Sequence, residues 1–209
     1  YIHHSDEPAW TIQTNLGGVF IMGRPCGCRD VECVTCFIAG SVITLSDGTT
    51  TTIENGKVGL QTKSSLTNTI NNVVGLEVTT IGSRKLYGIN DGQPFFTQDH
   101  AILTTEGWAV IDIALFMKHY PSTALLIGTP KQLTIGKTVL TTDGPVVIKQ
   151  LPNITISPDT KLYDWVLDGD HSYYVNGLAV HNCSPPPPPP EPGCPDCPGI
   201  HSQYQLPTG

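Results

Sequence analysis

Along residues 36 to 182, short runs of β-branched and aliphatic residues are each closed by a turn signal. "SVITL" (41–45) leads into "SDG", "VVGLEVTTI" (73–81) into "GS", "KLYGI" (85–89) into "NDG" and "AILTT" (101–105) into "EG". Such runs, bounded by Gly, Asn, Asp and Ser, predict strands. "KTVLTTDGPVVIKQL" (137–151) predicts a hairpin around Asp143-Gly144. "YDWVLDGDHSYYVNGLAVHN" (163–182) predicts two strands with a tight turn at Asn176-Gly177. One helix is expected, over "VIDIALFMKHY" (110–120), stopping before Pro121. The pattern as a whole is all-β, and no internal repeat is visible.

The two flanks read differently. Residues 1–35 predict one short strand and then a cysteine-rich turn in "NLGGVFIMGRPCGCRDVECVT". Residues 183–209 contain "SPPPPPPEPGCPDCPG", a polyproline II spacer that cannot join a central sheet because proline has no N–H to donate. Its plain reading is a linker to something else. The alternative is a docking site for a proline reader, and assembly partners could attach through this spacer or the flanks.

Composition adds limits. Of 209 residues, 39% are hydrophobic and 14% charged, enough apolar material for one domain core. The net charge is −7 without a basic cluster, which speaks against nucleic acid as a partner. No apolar run approaches the roughly 20 residues of a membrane span, so no membrane partner is expected. The chain begins at Tyr1 rather than Met and is therefore expected to be processed or part of something longer.

Seven cysteines crowd the two ends of the chain: Cys26, Cys28, Cys33 and Cys36, then Cys183, Cys194 and Cys197. The long cysteine-free stretch between them rules out a disulfide framework for the middle domain. That domain opens on a thiol, Cys36, and closes on His181-Asn182, with a second thiol at Cys183. Cys36 is placed to attack the carbonyl just before it, that of Thr35, turning an amide into a thioester. The departing nitrogen must be protonated and the oxyanion stabilised. Thr97 and His100, in "TQDH", suit that task. Cys183 can then take over the acyl group. Asn182 can close its side-chain amide on its own carbonyl, cutting the chain as a succinimide. His171 and His181 are placed to assist as acid or base. Each residue has a plainer reading alone: a buried small thiol, a structural histidine, a turn-capping Asp164, a loop asparagine. His3, His4, His119 and His201 are expected at the surface. Trp10, Trp108 and Trp165 are expected in packing.

Taken in order, these motifs resemble the Hint (Hedgehog/intein) domain, most closely a mini-intein or bacterial intein-like domain. "CFIAGSVITLSDGTTTTIENGKVG" is similar to the opening motif, "TQDH" to the Thr-x-x-His motif, and "YDWVLDGDHSYYVNGLAVHNC" to the two closing motifs. The resemblance implies a compact, disc-like or horseshoe β fold with adjacent termini. It gives Cys36, Thr97, His100, Asp164, His171, His181, Asn182 and Cys183 the catalytic roles, Asp164 assisting transfer between the thiols. One departure is the run Leu60-Gln61-Thr62 after Gly59, where the family usually carries an acid. The 63 residues between His100 and Asp164 are too few for a homing endonuclease domain.

The expected activity is excision of residues 36–182 and joining of Thr35 to Cys183, a single-turnover reaction whose substrate is the chain's own flanks and which requires no cofactor. Free thiols are needed, so a reducing compartment is favoured. Cleavage without ligation is the runner-up. An inert domain kept in a structural or surface-assembly protein, a virion component included, is a rival of another class. Hedgehog-type sterol transfer is least expected, since it needs no closing His-Asn-Cys. Cys26, Cys28, Cys33, Cys194 and Cys197 stay open among three readings: host thiols or disulfides, a zinc or iron–sulfur centre, or a Cys33–Cys36 disulfide that blocks the first nucleophile.

Overall fold

The computed structural model describes residues 37 to 182. The flanks lie outside them, and with them the expected strand and turn of 1–35, the polyproline spacer and all seven cysteines. His3, His4, His201 and Trp10 lie there too.

Sixteen strands fall into two sheets among the described residues. In chain order they are β1 (Phe37–Ile38), β2 (Val42–Thr44), β3 (Thr50–Thr52), β4 (Gln61–Lys63), β5 (Ile70–Thr80), β6 (Leu86–Tyr87), β7 (Phe96–Thr97) and β8 (Ile102–Thr104). There follow β9 (Gly107–Val110), β10 (Lys131–Gln132), β11 (Thr138–Thr141), β12 (Gly144–Val147), β13 (Asn153–Ile154), β14 (Lys161–Leu167), β15 (Ser172–Val175) and β16 (Leu178–His181). One sheet has the order β13-β6-β7-β1-β14-β5-β4. The other runs β10-β9-β8-β11-β16-β15-β2-β3, with β12 on β11. Nearly all pairings are antiparallel, as short loops between successive strands allow.

The expected turns are present in detail. Asn176 (φ 49) and Gly177 (φ 73) are both left-handed, as a two-residue hairpin between β15 and β16 demands. The Asn176 side chain also accepts from the amide of Val42 at 2.7 Å, which ties the hairpin to β2. The β11–β12 hairpin sits one residue earlier than "Asp143-Gly144" implies. Its loop is Thr142-Asp143, and Gly144 (φ 108) already pairs with Thr141.

The helical expectation needs correcting. Helix α1 (Ile113–His119) starts only after Asp112, whose carboxylate accepts from the Leu115 amide at 2.9 Å and caps the helix. Helix α1 stops before Pro121 as expected, but Pro121 itself opens a second helix, α2 (Pro121–Ile127). At the first helical position the missing N–H removes no bond, and the fixed φ is already helical. Among the described residues no helix is long and apolar enough to cross a membrane.

The main core gathers Phe37, Ile43, Phe96, Ile102, Trp165, Tyr173 and Val180 from both sheets, with Ile53 from the 3-10 turn that follows β3. Trp165 packs as expected, and its indole donates to the Ile53 carbonyl at 2.7 Å. Gly56 is required there, because a Cβ would lie 2.3 Å from the indole nitrogen. Leu60, at the departure from the family pattern, packs against the core, and Thr62 is buried on β4. An acid at Leu60 would place a charge against apolar side chains.

Candidate active site

Both ends of the described domain rest on one strand. Phe37, which follows Cys36 in sequence, pairs with Tyr163 of β14 on one side and with Phe96 of β7 on the other. Asn182, which precedes Cys183, donates its side-chain amide to the carbonyl of Trp165, also on β14, at 2.8 Å. Tyr163 and Trp165 are two residues apart, about 7 Å at the usual strand rise. The middle of β14 therefore holds the residues adjoining both candidate junctions. Between Tyr163 and Trp165 lies Asp164, 1% exposed. Its carboxylate accepts from the Tyr173 hydroxyl at 2.6 Å, a link from β14 to β15 in the other sheet.

The Thr-x-x-His motif forms a tight turn against this strand pair. The His100 amide donates to the Thr97 carbonyl at 3.0 Å, and the His100 ring lies 4.2 Å from the Phe37 ring, centroid to centroid. His181, at the end of β16, donates its backbone N–H to the Ala101 carbonyl at 3.2 Å, so the closing motif sits on the turn that carries His100. The His181 ring is 5.9 Å from that of His171 and 5.1 Å from the indole of Trp108. His171 has a left-handed backbone (φ 58), and its carbonyl accepts from the Asn182 amide at 2.7 Å. Thr97, His100, Asp164, His171, His181 and Asn182 are thereby brought into one cluster. Cys36 and Cys183, the two expected nucleophiles, lie outside the described residues.

Burial dominates the electrostatics. The His100 imidazole is fully buried, and that lowers its pKa to about 3. Asp99 pulls the other way without compensating, and His181 adds to the lowering. His181 is lowered to about 4, again mainly by burial and then by the neighbouring His171. Both rings are therefore neutral at pH 7, each with one N–H donor and one acceptor nitrogen. Among the described residues, neither ring nitrogen of His100, nor Nδ1 of His171 or His181, nor Oγ1 of Thr97 has a hydrogen-bond partner. Buried polar atoms without partners cost about 1–3 kcal/mol each. Five of them fall in this one cluster. Neutral imidazoles there can each donate one proton and accept another, the requirement for acid–base chemistry. Among the described residues no group of three or more His, Cys, Asp or Glu could hold a metal. The cysteines considered for zinc or iron–sulfur lie beyond them.

Three contacts were not anticipated from the sequence. Phe37 is the aromatic floor under His100, and its only signal is an apolar residue directly after the first thiol. Tyr173 meets Asp164 across the sheets. His119, expected at the surface, instead places Nδ1 2.9 Å from the buried carboxylate of Asp99, with its side chain only 23% exposed. An acid immediately before His100 was the available hint.

No protein-family model matches the sequence, and no curated protein does either. Solved structures do match. The architecture places this chain among compact β domains whose two ends meet on a central strand. More particularly, the described residues adopt the Hint fold, that of inteins and intein-like domains. A bacterial intein-like domain from Clostridium thermocellum is similar at 22% identity with a TM-score of 0.53, over 70% of this chain and 98% of that one. The gp41-1 intein is similar at 16% identity, TM-score 0.50, over 71% and 98%. A DnaB intein from Synechocystis sp. PCC 6803 is similar at 15% identity, TM-score 0.50, over 71% and 98%.

Proposed function

We propose that this chain splices itself, releasing residues 36–182 and joining residues 1–35 to 183–209. One observation carries the reading: Phe37 and Asn182, the neighbours of the two expected junctions, are both anchored on β14. A transfer between two thiols needs them within bonding reach, and the anchoring of the residue next to each on one strand supports that reading.

Four steps follow, each balanced within the chain. The Cys36 sulfur attacks the Thr35 carbonyl carbon. A C–S bond forms, the Thr35–Cys36 C–N bond breaks, and the freed nitrogen takes a proton. In this step the neutral His100, with Thr97 beside it, serves as donor and acceptor. The Cys183 sulfur then displaces Cys36, which leaves as a thiol, and Asp164 serves this transfer. The side-chain nitrogen of Asn182 next attacks its own carbonyl, losing a proton, and the Asn182–Cys183 C–N bond breaks to leave an amine. His181 and His171 move the protons of this step. Finally the amine of Cys183 attacks the thioester and releases the thiol as a peptide bond forms. No metal, oxidant or external nucleophile is consumed.

The first step is tested by itself. In the full chain carrying Asn182→Ala, dithiothreitol should intercept the thioester and release residues 1–35, and adding Cys36→Ala should abolish that release. Persistence of the intact chain in prolonged thiol would refute thioester formation.

A further inference from the structure

The loop between β14 and β15 is pinned through a residue that the splicing roles do not use. Asp170 precedes His171, and its carboxylate collects donors from nearby Ser172 and from residues 64–71 far upstream. The hydroxyl of Ser64 donates to Oδ2, as does Thr67 Oγ1 at 3.0 Å. Asn71 Nδ2 donates to Oδ1 at 2.9 Å, and the backbone and hydroxyl of Ser172 donate to the same oxygen at 3.1 and 3.0 Å. On the far side of His171, Asn71 Nδ2 also reaches the Ser172 carbonyl at 2.8 Å, and the Ser65 amide donates to Ser172 Oγ at 3.0 Å. The residues on either side of His171 are thus both fastened to the segment joining β4 and β5.

That fastening matters because of what His171 does between them. Its backbone is left-handed, a conformation that is unfavourable for a non-glycine residue and persists only where surroundings impose it. Its carbonyl accepts the Asn182 amide, so the same backbone positions the asparagine at the exit. Gly169 completes the fit. A Cβ there would lie 2.4 Å from Asn71 Oδ1, so the loop closes onto this asparagine only with glycine at 169.

We propose that Asp170 is a positioning residue for the exit step: its hydrogen bonds hold the His171 backbone, which in turn holds Asn182 for cyclisation. The inference rests on the self-splicing reading and adds to it a selectivity between steps. The entry junction depends on Thr97, His100 and Phe37, and among the described residues none of these hydrogen-bonds to this loop. Loss of the Asp170 bonds should therefore slow the exit and spare the entry.

Two variants separate the bonds from the charge. Asp170→Ala removes every bond. Asp170→Asn keeps the outline: its oxygen can still face Asn71 Nδ2 and the Ser172 amide, its NH₂ meets the Thr67 hydroxyl, which rotates to accept, and the Ser64 hydroxyl turns to donate to Ser172 Oγ, 3.1 Å away. In the full chain carrying Cys36→Ala, release of residues 183–209 is followed over time. In the full chain carrying Asn182→Ala, release of residues 1–35 by dithiothreitol is followed. Asp170→Ala is expected to slow exit cleavage at least tenfold while entry cleavage stays within twofold, and Asp170→Asn to restore the exit to within about threefold of the parent. Equal losses at both junctions, an unchanged exit rate, or an Asn variant as slow as the Ala variant would each overturn the proposal. If the parent chain releases neither segment, the splicing reading falls and this inference with it. A parent that cleaves beside an indifferent Asp170→Ala sinks the inference alone.

Discussion

His100 should make the domain less stable, and more so in acid. Its ring is fully buried, its two nitrogens have no partner among the described residues, and its pKa is held near 3. In the unfolded chain a histidine takes its proton near pH 6.5. Between those values the unfolded chain binds more protons than the folded one, so stability present above pH 6.5 is lost as the pH falls. Each pKa unit corresponds to about 1.4 kcal/mol. Moving from pH 7 to pH 5 therefore costs about 2 kcal/mol through His100. His181, held near 4, adds a similar amount, for about 4 kcal/mol together. Asp170 does not cancel this. Burial tends to raise its pKa, but the bonds from Ser64, Asn71, Ser172 and Thr67 outweigh that and lower it to about 2, so its contribution is lost only below pH 4. A domain of this size is stable by about 5–15 kcal/mol, so the change is large. Urea denaturation of the inactive Cys36→Ala, Asn182→Ala chain at both pH values measures it. Adding His100→Leu should stabilise the chain at pH 7 by about 1 kcal/mol, by removing an unpaired buried imidazole, and should halve the drop between pH 7 and pH 5. An equal drop in the His100→Leu chain would refute the reasoning.

Other expected outcomes follow from single contacts. Gly56→Ala should destabilise the inactive chain by about 1–3 kcal/mol in the same assay, because the methyl group displaces the Trp165 indole from the Ile53 carbonyl. Tyr173→Phe removes a donor from the buried Asp164 carboxylate and should cost about 1–3 kcal/mol. It should also slow ligated product relative to thiol-induced entry cleavage, read by mass spectrometry. Asn176→Val forces a β-branched residue into the left-handed turn and frees the Val42 amide. A loss of about 2 kcal/mol is expected, against about 1 kcal/mol for Asn176→Gly, which keeps the turn and loses only the bond to Val42.

Legibility in the sequence followed the range of each interaction. Asn176-Gly177 could be read because both residues of a two-residue hairpin must be left-handed, which is a local demand. Thr97 and His100 could be read because their link closes within four residues. The second helix was missed because Pro121 fits both the end of one helix and the start of another, and only packing decides. The Tyr173–Asp164 bond joins two sheets and leaves no periodic trace. Asp170 carries no signal of its own in the sequence, since its donors Ser64 and Asn71 lie about a hundred residues upstream. The sequence thus pointed to the side chains proposed to react, whose chemistry needs particular residue types, while the residues that hold them emerged only from the fold.

The most direct test of self-splicing is the intact mass of freshly expressed full chain, under denaturing and reducing conditions, beside the Cys36→Ala, Asn182→Ala double variant. The account predicts two products from the parent: the excised segment 36–182, and a peptide in which residue 35 is joined to residue 183. Neither should appear in the variant. Separate segments 1–35 and 183–209 would mean cleavage without ligation, and a parent that stays whole after prolonged reduction would contradict the account.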